Sequence, residues 1–208
     1  MALLSYELEA SESGAGARLC ALVDVGFPCN LTCRGCARGR QRGRPARAPL
    51  LAVAERLAIL VEEESPRTVS AVLFGGEPML DLDAIVASST RVRDACARAG
   101  VGYACAVITN ALLLDGYAAR RLSRAGVGTV QVTLPLAPHD DEGEPAAVDV
   151  QRVARVVRNV REVREEVDVV VRCEVEGADE LREALAIVRV LESAYATHLC
   201  YRVVGSAG

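Results

Sequence analysis

Short apolar runs rich in β-branched residues alternate along the chain with longer segments of helical periodicity. The short runs predict six strands, at residues 20–26, 69–74, 101–109, 128–134, 167–175 and 198–204. The longer segments predict five helices, at residues 49–64, 82–99, 113–125, 147–166 and 178–194. Strands and helices that alternate in this way indicate successive βα units around a parallel sheet.

Two of the predicted strands have one apolar and one polar face, because alternate side chains of a strand point to opposite sides. Their polar rows are Thr129, Gln131 and Thr133, and Asp168, Arg172 and Glu174. An open sheet covered by helices on both faces needs two apolar faces. We therefore predict an α/β fold, a partial (β/α)6 TIM-like barrel with parallel strands and a polar lumen. A strand at the solvent-facing edge of an open doubly wound sheet is the alternative.

The same pattern predicts one core domain at residues 20–205, after an N-terminal segment at 1–19 and before a C-terminal tail at 206–208. With 208 residues, of which 51% are hydrophobic, the chain can bury a core without cross-links. The formal net charge of -4 makes nucleic acid an unlikely partner. No segment resembles a membrane span or an export signal, so we expect a cytoplasmic protein without membrane association.

Three of the eight cysteines, Cys29, Cys33 and Cys36, lie within eight residues of each other after the first predicted strand. Persistent disulfides are rare in the cytoplasm, so clustered thiols there indicate a metal site or reactive groups. Zinc usually takes four protein ligands, and the other cysteines are scattered singly along the chain. Three cysteines are what an iron–sulfur cluster with one open iron would need.

A second motif, Gly75, Gly76, Glu77 and Pro78, follows the second predicted strand. Glycine lets the backbone approach another group closely, and a glutamate carboxylate can accept a hydrogen bond from an ammonium group. In parallel α/β folds, functional groups gather where the strands end. These residues are therefore candidates for ligand binding, and a turn that merely ends the strand is the alternative.

The cysteine motif C-x-x-x-C-x-x-C, together with FGGEP at 74–78, ITN at 108–110, VTL at 132–134 and HDD at 139–141, resembles the radical S-adenosylmethionine (radical SAM) superfamily. The resemblance covers residues 20–205 and implies a minimal core domain without a C-terminal auxiliary-cluster extension. It implies that the three cysteines hold a four-iron, four-sulfur (4Fe–4S) cluster whose fourth iron binds the methionine part of S-adenosylmethionine. The cluster then delivers one electron, and the resulting 5′-deoxyadenosyl radical abstracts hydrogen from a substrate. A purely structural cluster or a zinc site is the alternative.

The resemblance also implies roles for single residues. Glu77 would hold the amino group of S-adenosylmethionine, Thr133 would contact the cofactor, and Arg172 would pair with its carboxylate. Internal pairing of Arg172 inside the barrel is the alternative. Asn110 would either contact the ribose or cap the following helix. Gly35 departs from the aromatic residue that is common before the third cysteine, which leaves the adenine contact unassigned.

Two charged segments extend the hypothesis to partners. Six arginines and no acidic residue lie between Arg34 and Arg47. They could dock an acidic or phosphorylated peptide substrate, dock an electron donor such as flavodoxin or ferredoxin, or simply solvate a long loop. His139 and Asp140 are similar to a histidine–aspartate pair of peptide-modifying superfamily members, and a solvated acidic loop is the alternative.

The sequence therefore predicts a radical SAM oxidoreductase of unknown substrate. A maturase acting on a peptide or natural-product precursor and an activase of a glycyl-radical enzyme are the competing enzyme hypotheses. A cluster-bearing partner subunit that binds S-adenosylmethionine or a peptide without catalysis is the non-enzyme alternative.

Overall fold

A computed structural model of the chain describes residues 2–9, 16–31, 36, 45–134, 150–175, 182, 184–187, 189 and 198–203, the last six and residues 174 and 175 by their backbone only. The strands are β1 (Leu3–Glu9), β2 (Arg18–Asp24), β3 (Thr68–Phe74), β4 (Gly102–Thr109), β5 (Val127–Leu134), β6 (Asp168–Val175) and β7 (His198–Val203). The helices are α1 (Arg47–Glu64), α2 (Leu82–Ala99), α3 (Gly116–Arg124) and α4 (Val150–Val163), with a short 3₁₀ turn at Pro78–Asp81. Residues 182, 184–187 and 189 are also helical.

The strands lie in one sheet in their order along the chain, and β2 to β7 are parallel to each other. Connections between parallel strands are almost always right-handed, so a sheet that grows in one direction places its connecting helices on one face. A doubly wound sheet needs a reversal of strand order, which this sheet lacks among the strands described. The predicted partial barrel of six parallel strands is confirmed.

β1 was not predicted. It pairs antiparallel with β2, from Leu3 opposite Asp24 to Glu9 opposite Arg18, and so adds a seventh strand to the sheet. Most of its side chains are exposed, so β1 contributes no buried row. Prediction of a strand from the sequence depends on such an apolar row, so the sequence of residues 1–19 did not indicate a strand.

Burial alternates along the parallel strands. Val130, Val132 and Leu134 of β5 are buried, whereas Thr129, Gln131 and Thr133 are only partly buried. The buried rows pack against the helices, where Leu57 of α1 and Ile85 of α2 are inaccessible to solvent. Each such fully buried side chain stabilises the fold by about 1.5–3 kcal/mol. The opposite rows line the lumen, as the polar positions of the sequence predicted.

The helices begin and end at residues suited to those positions. The carboxylate of Asp81 accepts a hydrogen bond from the amide of Ala84 (3.1 Å) and starts α2, which ends at Gly100 in the left-handed conformation (φ 68°). Asp115 accepts from the amide of Ala118 (2.8 Å), so α3 begins after Asp115 and not at residue 113 as predicted. None of the helices in the described ranges is long and apolar enough to span a membrane.

Candidate cofactor site at the carboxyl ends of the strands

The two glycines after β3 let that segment lie directly on the loop after β2. Both have positive φ values, 99° for Gly75 and 58° for Gly76. A Cβ atom on Gly76 would lie 1.9 Å from the carbonyl oxygen of Phe27, so only glycine fits there. The amide of Glu77 then donates to the carbonyl of Pro28 at 2.9 Å. The close approach in the structure is made to the backbone that leads into Cys29, and an approach of the glycines to a ligand stays a prediction.

Glu77 is buried, with 1% of its surface exposed, and its carboxylate joins the end of β3 to the end of β4. One oxygen, Oε1, accepts hydrogen bonds from the hydroxyl of Thr109 (2.6 Å) and the amide of Met79 (2.9 Å). The other, Oε2, accepts from the amide of Asn110 at 2.9 Å. Burial raises the pKa of Glu77, and these three hydrogen bonds oppose that shift. Pro78, next in the chain, is buried and begins the 3₁₀ turn.

Asn110 connects the turn after β4 to the cysteine loop. Its Oδ1 accepts a hydrogen bond from the amide of Leu112 (3.0 Å), so its side chain closes a turn and does not cap a helix. Its Nδ2 donates to Oδ1 of Asn30 at 2.7 Å and lies 4.0 Å from Sγ of Cys29. The side chain thus fixes the position of the first cysteine of the motif, and contact with a ribose stays a prediction.

The cysteine loop begins at the end of β2 and is described in part. Cys29 is partly buried, and its sulfur accepts a hydrogen bond from the amide of Leu31 at 3.4 Å. Burial raises the pKa of the Cys29 thiol, the Leu31 amide lowers it, and the negative charges of Glu77 and Cys36 raise it. Cys36 is exposed. Cys33 and Gly35 lie outside the described residues.

The donor chemistry at Cys29 fits an iron–sulfur cluster. Thiolates are the ligands that iron–sulfur clusters use, and N–H groups that point at the sulfur tune the potential of such clusters. Here the Leu31 amide and the Asn110 side chain supply those groups. The backbone at Gly76 lies directly against the same loop, at Phe27 and Pro28.

Thr133 and Arg172 lie side by side on the lumen face of β5 and β6. They are register partners in the parallel pair, and both are partly buried. Asn110 follows Thr109, which is in register with Val132, so Asn110 lies at the level of Thr133. The structure therefore brings three of the predicted cofactor residues to one level near the carboxyl ends of the strands. Arg172 has an interaction with another group, and its pairing with the carboxylate of S-adenosylmethionine stays a prediction.

One residue of this network was not predicted. Asn159 of α4 is buried and donates from Nδ2 to the carbonyl of Ala111 at 2.8 Å. Ala111 has a φ of 59°, a conformation that non-glycine residues rarely adopt, and its amide donates to the hydroxyl of Thr109 at 3.0 Å. The sequence signal was available, since Asn159 is the polar residue within the otherwise apolar buried stripe of α4.

The arginine segment is described only at its end. Nε of Arg47 lies 2.5 Å from the carboxylate of Asp81, and a second guanidinium nitrogen lies 3.5 Å from that of Asp83. Arg47, whose side chain is 56% exposed, thus pairs with two carboxylates around the start of α2, and the three uses of the arginine segment stay predictions. The other five arginines lie outside the described residues, as do His139 and Asp140.

Comparison with known proteins agrees with this geometry. The family model described as the Radical SAM superfamily matches residues 25–186. The structure of native anSMEcpe with bound AdoMet is similar to the chain, with a TM-score of 0.62 at 16% identity over 87% of this chain and 50% of that one. The structure of native anSMEcpe with bound AdoMet and Kp18Cys peptide gives a TM-score of 0.63 at 18% identity over 90% and 51%.

The chain thus spans about half the length of these solved structures, and the likeness at such low identity concerns the fold alone. No protein of the curated set matches the chain.

Proposed function

Because the chain belongs to the radical SAM superfamily, a family of enzymes that use a 4Fe–4S cluster and S-adenosylmethionine, we propose that it cleaves S-adenosylmethionine reductively and abstracts hydrogen from a substrate. The observation that carries the proposal is the hydrogen-bond network that joins Glu77, Asn110 and the loop of Cys29. Such a network holds a loop in place before a cofactor binds, which is how binding sites are pre-organised.

The three cysteines of the motif hold the cluster in this proposal. Cys29, Cys33 and Cys36 would hold the cluster as thiolates, and the cluster would keep a position at which S-adenosylmethionine can bind. When bound, the cluster supplies the electron that converts S-adenosylmethionine into methionine and the 5′-deoxyadenosyl radical. The N–H groups of Leu31 and Asn110 that face the Cys29 sulfur stabilise its thiolate form.

Glu77 receives the amino group of S-adenosylmethionine in this proposal. An ionised carboxylate offers about four lone-pair sites, and Glu77 uses three of them within the chain. The remaining site is on Oε2, which among the described residues accepts only from Asn110, so an ammonium group beside Gly75, Gly76 and Pro78 would complete the set. Thr133 and Arg172, at the level of Asn110, would bind the carboxylate and neighbouring oxygens of the same molecule.

The enzyme also needs an electron donor. We propose an acidic protein such as flavodoxin or ferredoxin, attracted by the arginines from Arg38 to Arg44. Arg47, held by Asp81, ties the end of this segment to the turn after Glu77 and Pro78. A donor that docks on the arginines would therefore approach the cluster loop itself.

The proposal is tested by anaerobic incubation of reconstituted protein with S-adenosylmethionine and dithionite. We expect methionine and 5′-deoxyadenosine to form in equal amounts, as measured by liquid chromatography and mass spectrometry. The matched control is the variant in which Cys29, Cys33 and Cys36 are all alanine, which should form neither product. Protein that contains a reducible cluster and leaves S-adenosylmethionine intact would contradict the proposal.

A further inference from the structure

The lumen has two unlike walls in its middle levels. The side chains that β2, β3 and β4 contribute there are mostly apolar, namely Leu22, Val72, Phe74, Ala106 and Ile108, with the carboxylate of Asp24 beside Phe74. The side chains from β5 and β6 are mostly polar, namely Thr129, Gln131, Thr133, Asp168 and Arg172. The apolar wall is open to solvent, since 52% of Leu22 is exposed. A molecule in this lumen would meet a hydrophobic surface on one side and hydrogen-bonding groups on the other.

Gln131 of the polar wall carries a donor without an acceptor. Its Nε2 atom is buried, and no group of the described structure lies within hydrogen-bonding distance of it. Its register partners on the neighbouring strands are Ile108 and Val170, whose side chains cannot accept. Buried donors in proteins are almost always paired, and one left unpaired destabilises the protein. Because the lumen is open to solvent, a ligand that enters it can supply the missing acceptor at this position.

Position and chemistry favour the substrate as the source of that group. Gln131 precedes Thr133 by two residues on the same face of β5, so it lies one level deeper in the lumen than the proposed cofactor residues. An anionic oxygen beside Ile108 and Val170 would lose solvation that a neutral amide cannot replace. An uncharged carbonyl oxygen does not lose solvation to this extent. The carboxylate of S-adenosylmethionine would instead pair with the positive charge of Arg172.

We infer that Gln131 donates a hydrogen bond to a backbone carbonyl of a peptide substrate whose apolar side chain packs against the wall formed by β2 to β4. A glutamine side chain both donates and accepts, so it complements a peptide amide. This inference rests on the proposed function and adds to it a substrate class and a residue that recognises it. An oxygen of S-adenosylmethionine is the other source of an acceptor, and the experiments separate the two.

The first test measures the protein without substrate. Gln131→Leu removes the unpaired donor at nearly constant volume, so the midpoint of thermal unfolding should rise. Ser88→Ala is the matched control, because Ser88 has the other buried polar side-chain atom without a partner in the described ranges, its Oγ. It lies between α2 and the sheet, away from the lumen. Its midpoint should also rise. A lower midpoint for Gln131→Leu alone would overturn the inference, because the donor would then already be satisfied.

The second test uses a probe, N-acetyl-leucine N-methylamide deuterated in its side chain, with holoenzyme, S-adenosylmethionine and dithionite. When the radical attacks the probe, a C–D bond breaks, a C5′–D bond forms in 5′-deoxyadenosine, and the unpaired electron stays on the probe carbon. Mass spectrometry of 5′-deoxyadenosine measures this transfer. The KM for the probe should rise about tenfold in Gln131→Leu, the loss expected for one neutral hydrogen bond. It should stay unchanged in Ser88→Ala.

Each outcome separates the inference from the proposed function. If Gln131→Leu weakens the binding of S-adenosylmethionine as much as that of the probe, the acceptor belongs to the cofactor and the inference is wrong. If the wild type cleaves S-adenosylmethionine but transfers no deuterium, the proposed function stands and the peptide assignment falls. If the KM for the probe is equal in both proteins, Gln131 does not recognise it. If S-adenosylmethionine is not cleaved at all, the proposed function and the inference about Gln131 are both wrong.

Discussion

Glu77 is a buried side chain and Gln131 a partly buried one with a buried Nε2 atom; both lie beside the lumen, and their surroundings differ. Glu77 lies where β3 ends and accepts three hydrogen bonds from the chain itself. Gln131 lies inside β5, and its Nε2 has no partner in the described structure. The first region is therefore organised before any cofactor binds, whereas the second is completed only by a ligand. Polar groups that are already held in place suit the binding of a reactive cofactor. A polar group that lacks a hydrogen-bond partner suits a substrate, which binds and is released in every turnover.

The largest expected effect is on the organised region and its cluster. Replacing Cys29, Cys33 and Cys36 together by alanine should abolish iron and sulfide binding, because no other group of cysteines has ligand spacing. Wild-type protein should contain about four irons and four sulfides per chain. Cys20→Ala is the control, since Cys20 lies on β2 at the opposite end of the strand, and it should keep the cluster. If the triple variant still bound a full cluster, the assignment of the three cysteines as cluster ligands would be wrong.

Glu77→Ala should have the next largest effect, on stability and on binding. It leaves the amides of Met79 and Asn110 and the hydroxyl of Thr109 without their acceptor, so the free energy of unfolding should fall by about 3–5 kcal/mol. The affinity for S-adenosylmethionine should fall by about 1.5–3 kcal/mol, the value of a hydrogen bond to a charged group. Denaturant unfolding and equilibrium binding measure the two losses.

Glu77→Gln separates the two roles, because it keeps the shape of the side chain and removes its charge. We expect it to retain more of the stability than Glu77→Ala while it still loses affinity for S-adenosylmethionine. If Glu77→Gln binds S-adenosylmethionine as tightly as the wild type, Glu77 only connects β3 and β4 and is no ligand of the cofactor.

Much of this arrangement could be predicted from the sequence. The six parallel strands were predicted to within two residues of their observed ends, because alternating apolar residues mark them in the sequence, and in β2 to β6 these residues form buried rows. The contact of the Glu77 motif with the cysteine loop follows from the parallel topology, which brings the ends of neighbouring strands together. The exposed edge strand β1 has no such row and was missed.

Contacts that depend on backbone conformation could not be predicted in this way. The partner of Asn159 is the carbonyl of Ala111, and its direction depends on the left-handed φ of an alanine, a residue type that rarely adopts it. The unpaired Nε2 of Gln131 depends on which residues lie opposite it in register. Periodicity identifies the face on which a side chain lies, and it does not identify the atoms that this side chain meets.

Asn159 offers a smaller test of the organised region. Asn159→Leu keeps the volume and removes the donor to the Ala111 carbonyl, so the free energy of unfolding should fall by about 1–3 kcal/mol. Gln151→Leu removes a similar amide from an exposed position of α4 and should change stability by less than about 0.5 kcal/mol. Equal effects of the two substitutions in chemical denaturation would show that the buried hydrogen bond contributes nothing.

The smallest effect concerns the arginines outside the described residues. Replacing Arg38, Arg40, Arg42 and Arg44 by glutamine should slow turnover with flavodoxin at low salt and spare cleavage driven by dithionite, which needs no docking. The wild-type rate should approach that of the variant as salt rises, because the Debye length falls from about 10 Å at 0.1 M to about 3 Å at 1 M. If the wild type and the variant turn over at equal rates with flavodoxin at low salt, the arginine segment is only solvated surface. If the variant also loses the cleavage driven by dithionite, the segment belongs to the cofactor site.

The central claim is that S-adenosylmethionine binds to an iron–sulfur cluster held at the ends of β2 and β3. Electron paramagnetic resonance of the dithionite-reduced protein, recorded with and without S-adenosylmethionine, tests it most directly. We predict the signal of a reduced 4Fe–4S cluster, shifted in its g-values when S-adenosylmethionine is added and unshifted when methionine-free 5′-deoxyadenosine is added instead. A reduced-cluster signal that stays identical at saturating S-adenosylmethionine would contradict the account.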